Sequence, residues 1–139
     1  MRRTVLTTTA LIAVGGLALP SSAAPPKPIT KTYEATAVPS GLGMASYCDG
    51  VPTTTDKHLE PFKAPAKGTL KVVMSGVTGD WDLMLLDKGG STLIMSAEIG
   101  TGDESYTHKI SKPGDFTILS CNALGSLTAS ITYTFTFAK

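Results

Sequence analysis

The sequence has 139 residues, a formal net charge of +1 and two cysteines, which suits one domain and leaves no room for a large basic surface. Its arginines both lie at positions 2 and 3, so the chain beyond them has none. Arginine is the usual fork-shaped ligand of phosphate, and the lysines are scattered among eleven acidic residues. This composition argues against nucleic-acid binding.

The first 24 residues have the layout of a secretory signal peptide. Arg2 and Arg3 precede an apolar run over 11–19, and Ser22, Ala23 and Ala24 supply the small residues of a cleavage site. The apolar run is too short to span a bilayer. A lipid anchor would need a cysteine near the cleavage site, and there is none. We predict cleavage after Ala24 and a secreted, extracellular chain with no membrane span.

The rest of the chain is predicted to form an extended leader over 25–30 and a single β-rich domain over 31–139. No window has the 3.6-residue period of an amphipathic helix, whereas short β-prone runs alternate with glycine- and proline-containing turns. Pro61 would interrupt a central strand, so its strand is expected at a sheet edge. The predicted strands are 31–38, 57–64, 68–75, 81–86, 92–97, 105–110, 116–121 and 129–137.

The stretch from Gly68 to Asp87 is predicted to form the centre of the fold. Apolar residues fall at every second position in Leu70, Val72 and Met74, and again in Trp81, Leu83 and Leu85, while Met84 and Leu86 take the opposite face. About eight short strands at near-regular spacing predict an all-β, jelly-roll-like antiparallel β-sandwich. A β-barrel is the alternative architecture.

Four ordered motifs carry a resemblance to a known family: GTLKV at 68–72, GDWDLML at 79–85, GDFTI at 114–118 and YTF at 133–135. Together they resemble the bacterial pre-peptidase C-terminal domains of secreted actinobacterial proteins and cover about half of the chain. The resemblance implies a non-catalytic β-sandwich, of a kind that accompanies secreted hydrolases and binds calcium, matrix or polysaccharide in some members. This chain departs from that family by having no catalytic domain attached.

Cys48 and Cys121 are predicted to form one disulfide bond, because both lie in the exported part of the chain. The bridge would close a loop of 73 positions, for which chain entropy gives a stabilisation of about 4 kcal/mol. A reactive thiol or a partial metal site is the alternative, but neither a CxxC spacing nor a histidine beside a cysteine is present.

Four acidic residues form a candidate calcium site. Asp80 and Asp82 lie two positions apart, so both carboxylates would point to one side of a strand, and a loop containing Asp103 and Glu104 would face them. Carboxylate oxygens from two loops suit Ca²⁺. The alternative is that these are solvated turn residues.

The aromatic residues and the histidines of the sequence form no recognisable sugar-binding or active site. Trp81, with Tyr47 or Tyr106, is a candidate sugar-stacking platform, but its alternation with leucines favours a core position. His58 is expected to be an exposed edge residue and His108 a cross-strand polar neighbour, and no GxSxG or HExxH motif occurs. We therefore expect no enzymatic activity.

The last predicted strand places Thr132, Thr134 and Thr136 on one face. Threonine at every second position is typical of ice-binding surfaces, but one ladder of three is no array, and a solvent-facing strand is its ordinary role. The flat, uncharged YTFTF run would aggregate at an open edge, so we predict neighbours on both sides or a cover.

These observations favour a secreted, monomeric binding module whose partner is an extracellular protein, a polysaccharide or cell-wall material. The alternative is a structural or maturation escort for a secreted hydrolase, with no ligand of its own.

Overall fold

The computed structural model describes residues 24–40, 55–97 and 102–139. Within these ranges the chain forms β-strands and no helix, and none of it has the length and apolarity of a membrane-spanning helix. Nearly all of the predicted signal peptide, and Cys48 with the loop around it, lie outside the described residues. The strands are β1 (Ile29–Thr36), β2 (Lys57–Ala64), β3 (Gly68–Ser75), β4 (Gly79–Asp87), β5 (Thr92–Ser96), β6 (Glu104–Ile110), β7 (Gly114–Gly125) and β8 (Thr128–Phe137).

The strands form two antiparallel four-stranded sheets. Sheet A has the order β1-β8-β3-β6, and sheet B has the order β2-β7-β4-β5. Successive strands therefore mostly belong to opposite sheets, which is the arrangement of an eight-stranded jelly roll. The predicted all-β sandwich is confirmed, and β2, which carries Pro61, is an edge strand as predicted.

The core lies between the two sheets and consists of the inward faces of the alternating strands. Leu70, Val72 and Met74 of β3 are fully buried, as are Trp81, Leu83 and Leu85 of β4, so both predicted faces are confirmed. Phe62 lies at the centre of an aromatic group, with ring centroids 5.2 Å from Tyr133 and 5.7 Å from Phe135. Burial of these apolar side chains is the main stabilising contribution to the sandwich.

The β4–β7 pair is longer than the sequence predicts and contains a β-bulge between Asp80 and Trp81. The two strands approach each other at Gly79 and Gly125, where φ is 104° and 116°. A Cβ on either glycine would overlap backbone atoms of the facing strand, so only glycine fits here. This close approach lets β7 continue to Gly125 beyond its predicted end.

The outer face of sheet B carries a second, smaller apolar cluster. Met84, Leu119 and Cys121 are buried there, with Leu86 packed against them. The prediction that β4 is covered on both faces is therefore confirmed for Met84. Within the described residues no cysteine is free, and Cys121 places any bridge to Cys48 at this outer face.

Candidate binding surface

The outer face of sheet A is built around β8, the strand that carries Thr132, Thr134 and Thr136. β8 pairs with β1 on one side and with β3 on the other, so the predicted pairing of the YTFTF run on both sides is confirmed. Its core-facing residues Ile131, Tyr133 and Phe135 are buried. The strand's alternation therefore directs every threonine of this ladder away from the core.

Register places further hydroxyl side chains beside this ladder. Thr134 lies between Thr30 of β1 and Lys71 of β3, and Lys71 in turn lies opposite Thr107 of β6. The next row runs from Thr32 through Thr132 and Val73 to Ser105. We call this outward surface of sheet A the hydroxyl face. It carries three hydroxyl residues from β1, five from β8, two from β3 and two from β6. They are Thr30, Thr32, Thr36, Thr128, Ser130, Thr132, Thr134, Thr136, Thr69, Ser75, Ser105 and Thr107.

Hydrogen bonds order the part of the hydroxyl face between β1 and β8. The Oγ1 atoms of Thr30 and Thr134 are 3.1 Å apart, and those of Thr32 and Thr132 are 2.8 Å apart. Neighbouring hydroxyl positions repeat at about 4.8 Å across the strands and about 6.8 Å along them. Each hydroxyl is both a donor and an acceptor, so an array of such groups faces outward, interrupted on β3 by Lys71 and Val73.

In the sequence only the β8 ladder is visible as one pattern, because the other hydroxyl residues lie in strands far away along the chain. Thr30 and Thr134, for example, are 104 positions apart. Thr or Ser at every second position in β1 and β6 is a further signal of this face in the sequence. The ladder of three is one part of an array that crosses all four strands of sheet A.

The structure does not bring the four predicted calcium ligands together. Asp82 lies opposite Cys121 on the outer side of sheet B, whereas Glu104 bonds the Ser96 hydroxyl. Asp103 is exposed beside β6, and Asp80 lies opposite Leu124 of β7. Among the described residues no three acidic, histidine or cysteine side chains form a group that could hold a metal.

The aromatic candidates are occupied by structural contacts. Trp81 is 1% exposed, and its indole Nε1 donates to the backbone carbonyl of Ser126 at 3.1 Å. Tyr106 is also buried and donates its hydroxyl to the carbonyl of Met84 at 3.3 Å, and this burial raises the pKa of Tyr106. The core interpretation of Trp81 is confirmed, and neither ring offers a face for sugar stacking.

The two histidines belong to the strand ladders. His58 is half-buried, not exposed as predicted: its ring stacks on Tyr33 with centroids 5.5 Å apart, and its Nδ1 accepts the backbone N–H of Thr36 at 3.5 Å. His108 lies opposite Leu70 in the β3–β6 ladder, as a cross-strand neighbour. His58 lies opposite Ser120 in the β2–β7 ladder.

An open recess of about 430 Å³ lies at one end of the sandwich, between the β4–β5 and β6–β7 turns. It is lined by Asp87, Lys88, Gly89, Lys112, Pro113, Gly114, Asp115 and Phe116. Two lysines and two aspartates line it, so the recess has no net preference for either sign of charge. The hydroxyl face is the chemically more uniform surface, since twelve of its residues carry hydroxyl groups.

Comparison with known proteins gives similarity of fold only. No family model matches the chain, and no curated protein matches it. Among solved structures, the mitogen of Yersinia pseudotuberculosis is similar at 14% identity and a TM-score of 0.46, over 81% of this chain and 89% of that one. A disulfide-linked pilus protein of Bacillus endospore appendages is similar at 11% identity and a TM-score of 0.39, over 89% of this chain and 100% of that one. The VP2 subviral particle of infectious bursal disease virus is similar at 12% identity and a TM-score of 0.36, over 81% of this chain and 34% of that one.

Proposed function

We propose that the protein is a secreted, non-catalytic binding module and that its hydroxyl face binds a neutral polysaccharide of the cell wall or extracellular matrix. The observation that carries this proposal is the array of threonine and serine side chains across four paired strands. The resemblance to pre-peptidase C-terminal domains agrees with such a role.

The chemistry of the array matches a neutral sugar polymer. A polysaccharide chain presents hydroxyl groups at a regular repeat, and each pairs with a protein hydroxyl as donor or acceptor. One such hydrogen bond contributes only about 1 kcal/mol, so affinity would come from many weak contacts along a polymer. The threonine methyl groups add apolar contact with the C–H faces of sugar rings.

If β-propensity alone explained the enrichment in threonine and serine, the outer faces of both sheets should show it, since threonine favours any solvent-facing strand. The outer face of sheet B differs: β2 presents Lys57, Leu59 and Lys63 there, and the central strands present Leu119 and Met84. Among the central strands of sheet B, Thr117 of β7 is an isolated hydroxyl. The enrichment belongs to sheet A alone, which supports a role for that face.

The test is sedimentation of the protein with insoluble cell wall, chitin or cellulose. The double variant T132V/T134V removes two central hydroxyls and keeps the β-branched shape, so it should fold normally and bind at least about tenfold more weakly. Thr117→Val, on the central strand β7 of the other sheet, is the matched control and should bind like the unaltered protein.

Equal binding by the double variant and the control would exclude the hydroxyl face as the binding surface. Failure to bind any of these polymers, combined with association with a co-secreted hydrolase, would favour the escort alternative. Binding to growing ice crystals without binding to sugars would assign the array to an ordered water lattice instead.

A further inference from the structure

A group of buried oxygen atoms lies on the core face of β7 near one end of the sandwich. Asn122 and Ser120 are both fully buried, and their side chains point the same way because they lie two positions apart on one strand. The backbone N–H of Asn122 donates to the carbonyl of Asp56 at 2.9 Å, which places Asp56 opposite Asn122 just before β2 begins. Asp56 is 1% exposed.

The side-chain oxygens of these three residues have no hydrogen-bond donor. Within the part of the chain that the structure describes, both carboxylate oxygens of Asp56, Oδ1 of Asn122 and Oγ of Ser120 are buried without a partner. The amide nitrogen of Asn122 is already committed, since Nδ2 donates to the carbonyls of Ala37 at 2.9 Å and Ser126 at 2.7 Å. Asn122 therefore cannot turn its amide to supply a donor to Asp56.

Burying the Asp56 carboxylate among these oxygens lowers the free energy of unfolding unless a positive charge compensates it. A buried carboxylate without a partner loses its hydration and gains nothing in return. Oδ1 of Asn122 and Oγ of Ser120 are neutral oxygens, which together with a carboxylate are the ligands that hard cations prefer. The Cβ atoms of cross-strand and diagonal neighbours in a β-ladder lie about 4.5–8 Å apart. Side chains that extend from such positions can bring their oxygen atoms to one cation between them.

We propose that Asp56, Asn122 and Ser120 form a site for a hard metal cation, with the Asp56 carboxylate as its charged ligand. The site is separate from the four acidic residues singled out by the sequence and is independent of the hydroxyl face. One carboxylate with neutral oxygens suits Na⁺ or K⁺, or Ca²⁺ at the millimolar concentrations typical of extracellular modules.

The first test is thermal unfolding of the full-length exported protein at constant ionic strength. After treatment with a chelator, the protein is melted in choline chloride, whose cation is too large for the site, and then with NaCl, KCl or CaCl₂ in its place. We expect one of the small cations to raise Tm by about 10 °C at a concentration one hundred times its Kd.

Asp56→Asn should abolish this response. In choline chloride it should melt at or above the temperature of the unaltered protein, because it removes the uncompensated charge and adds a donor facing Asn122. Asp103→Asn changes an exposed acid and should keep the full response. Ser120→Ala keeps the carboxylate, so it should respond only at higher cation concentration, and it carries the test if Asp56→Asn does not fold.

Terbium luminescence gives a readout that does not depend on stability. Trp81 is the single tryptophan of the chain and lies opposite Asn122 in the β4–β7 ladder, so it should sensitise Tb³⁺ bound at this site. The signal should disappear in Asp56→Asn and persist in Asp80→Asn and Asp103→Asn. A Tm that is the same in every salt, or a cation response that survives in Asp56→Asn, would overturn the proposal.

Discussion

Trp81 and Asn122 share one hydrogen-bond acceptor: both donate to the backbone carbonyl oxygen of Ser126, at 3.1 and 2.7 Å. They are also cross-strand neighbours in the β4–β7 ladder. Two side-chain donors thereby fasten the turn between β7 and β8 to the core of the sandwich. The largest side chain of the core and the turn that leads into the hydroxyl face are physically connected.

Replacing Trp81 by Phe should destabilise the protein by about 2–3 kcal/mol, because the change leaves a cavity and removes the hydrogen bond to Ser126. The measurement is urea unfolding followed by circular dichroism. Leu59→Ala is the control, since Leu59 is 60% exposed and its truncation should cost less than about 0.5 kcal/mol. Similar midpoints for the two variants would contradict the buried position of Trp81.

Gly125→Ala should be strongly destabilising, by at least about 2 kcal/mol, because φ is 116° and a Cβ would overlap the Thr78 carbonyl. Gly90 also has a positive φ, of 84°, but nothing lies within 4 Å of a Cβ built there. Gly90→Ala should therefore show only the backbone cost, about 1 kcal/mol. Thermal or urea unfolding of both variants separates the effect of Cβ overlap from that of backbone strain. Equal losses of stability in the two variants would argue against the close β4–β7 approach.

Alkaline pH should destabilise the fold through its buried tyrosines. Burial raises the pKa of Tyr33 and of Tyr106, so above pH 10 the unfolded chain releases protons that the folded chain retains. Stability is therefore full below pH 10 and falls as pH rises, by up to about 1.4 kcal/mol per pH unit for each tyrosine.

Tyr33→Phe isolates one of these contributions. The buried hydroxyl of Tyr33 has no hydrogen-bond partner among the described residues, so its removal should change stability little at pH 7. Between pH 10 and 11.5 the variant should lose less stability per pH unit than the unaltered protein, as measured by urea unfolding. Parallel pH profiles would show that Tyr33 ionises as easily in the folded state as in the unfolded one.

The predicted Cys48–Cys121 bridge is tested by peptide mapping without reduction, which should recover one linked pair. Cys48→Ser should lower stability by about 2–4 kcal/mol. Dithiothreitol should lower the Tm of the unaltered protein and leave that of Cys48→Ser unchanged. A response to dithiothreitol in the variant, or free thiols in the exported protein, would rule the bridge out.

Features with a two-residue period could be predicted from the sequence. Leu70, Val72 and Met74 alternate within one strand, and each needs only its own neighbours to identify its inward face. The fold class followed because the turns between such strands are marked by glycine and proline. The β-bulge between β4 and β7 could not be predicted, since its extra residue, Ala123, is apparent only once the two strands are paired.

Both proposed sites depend on pairing between distant segments. Thr32 and Thr132 are 100 positions apart, and no local pattern shows that they share a hydrogen bond. Asp56 precedes a strand and resembles an ordinary turn residue until the register places it opposite Asn122. Asp80 and Asp82 did stand out in the sequence, but among the described residues they form no metal-binding group with Asp103 and Glu104.

The ladder between β1 and β8 also sets how the molecule would respond to force. Ile29, the first residue of β1, lies opposite Phe135 near the end of β8. The N-terminal end of β1 and the C-terminal end of β8 therefore lie side by side at one end of the ladder. A pull on these ends would load the ladder's hydrogen bonds one after another, as in opening a zipper, and would peel off the largely exposed β1 first. We expect low rupture forces in single-molecule stretching from these ends. Handles at Ile29 and Thr128 would load the ladder in shear and should require markedly more force, and equal forces in the two geometries would contradict this mechanical asymmetry.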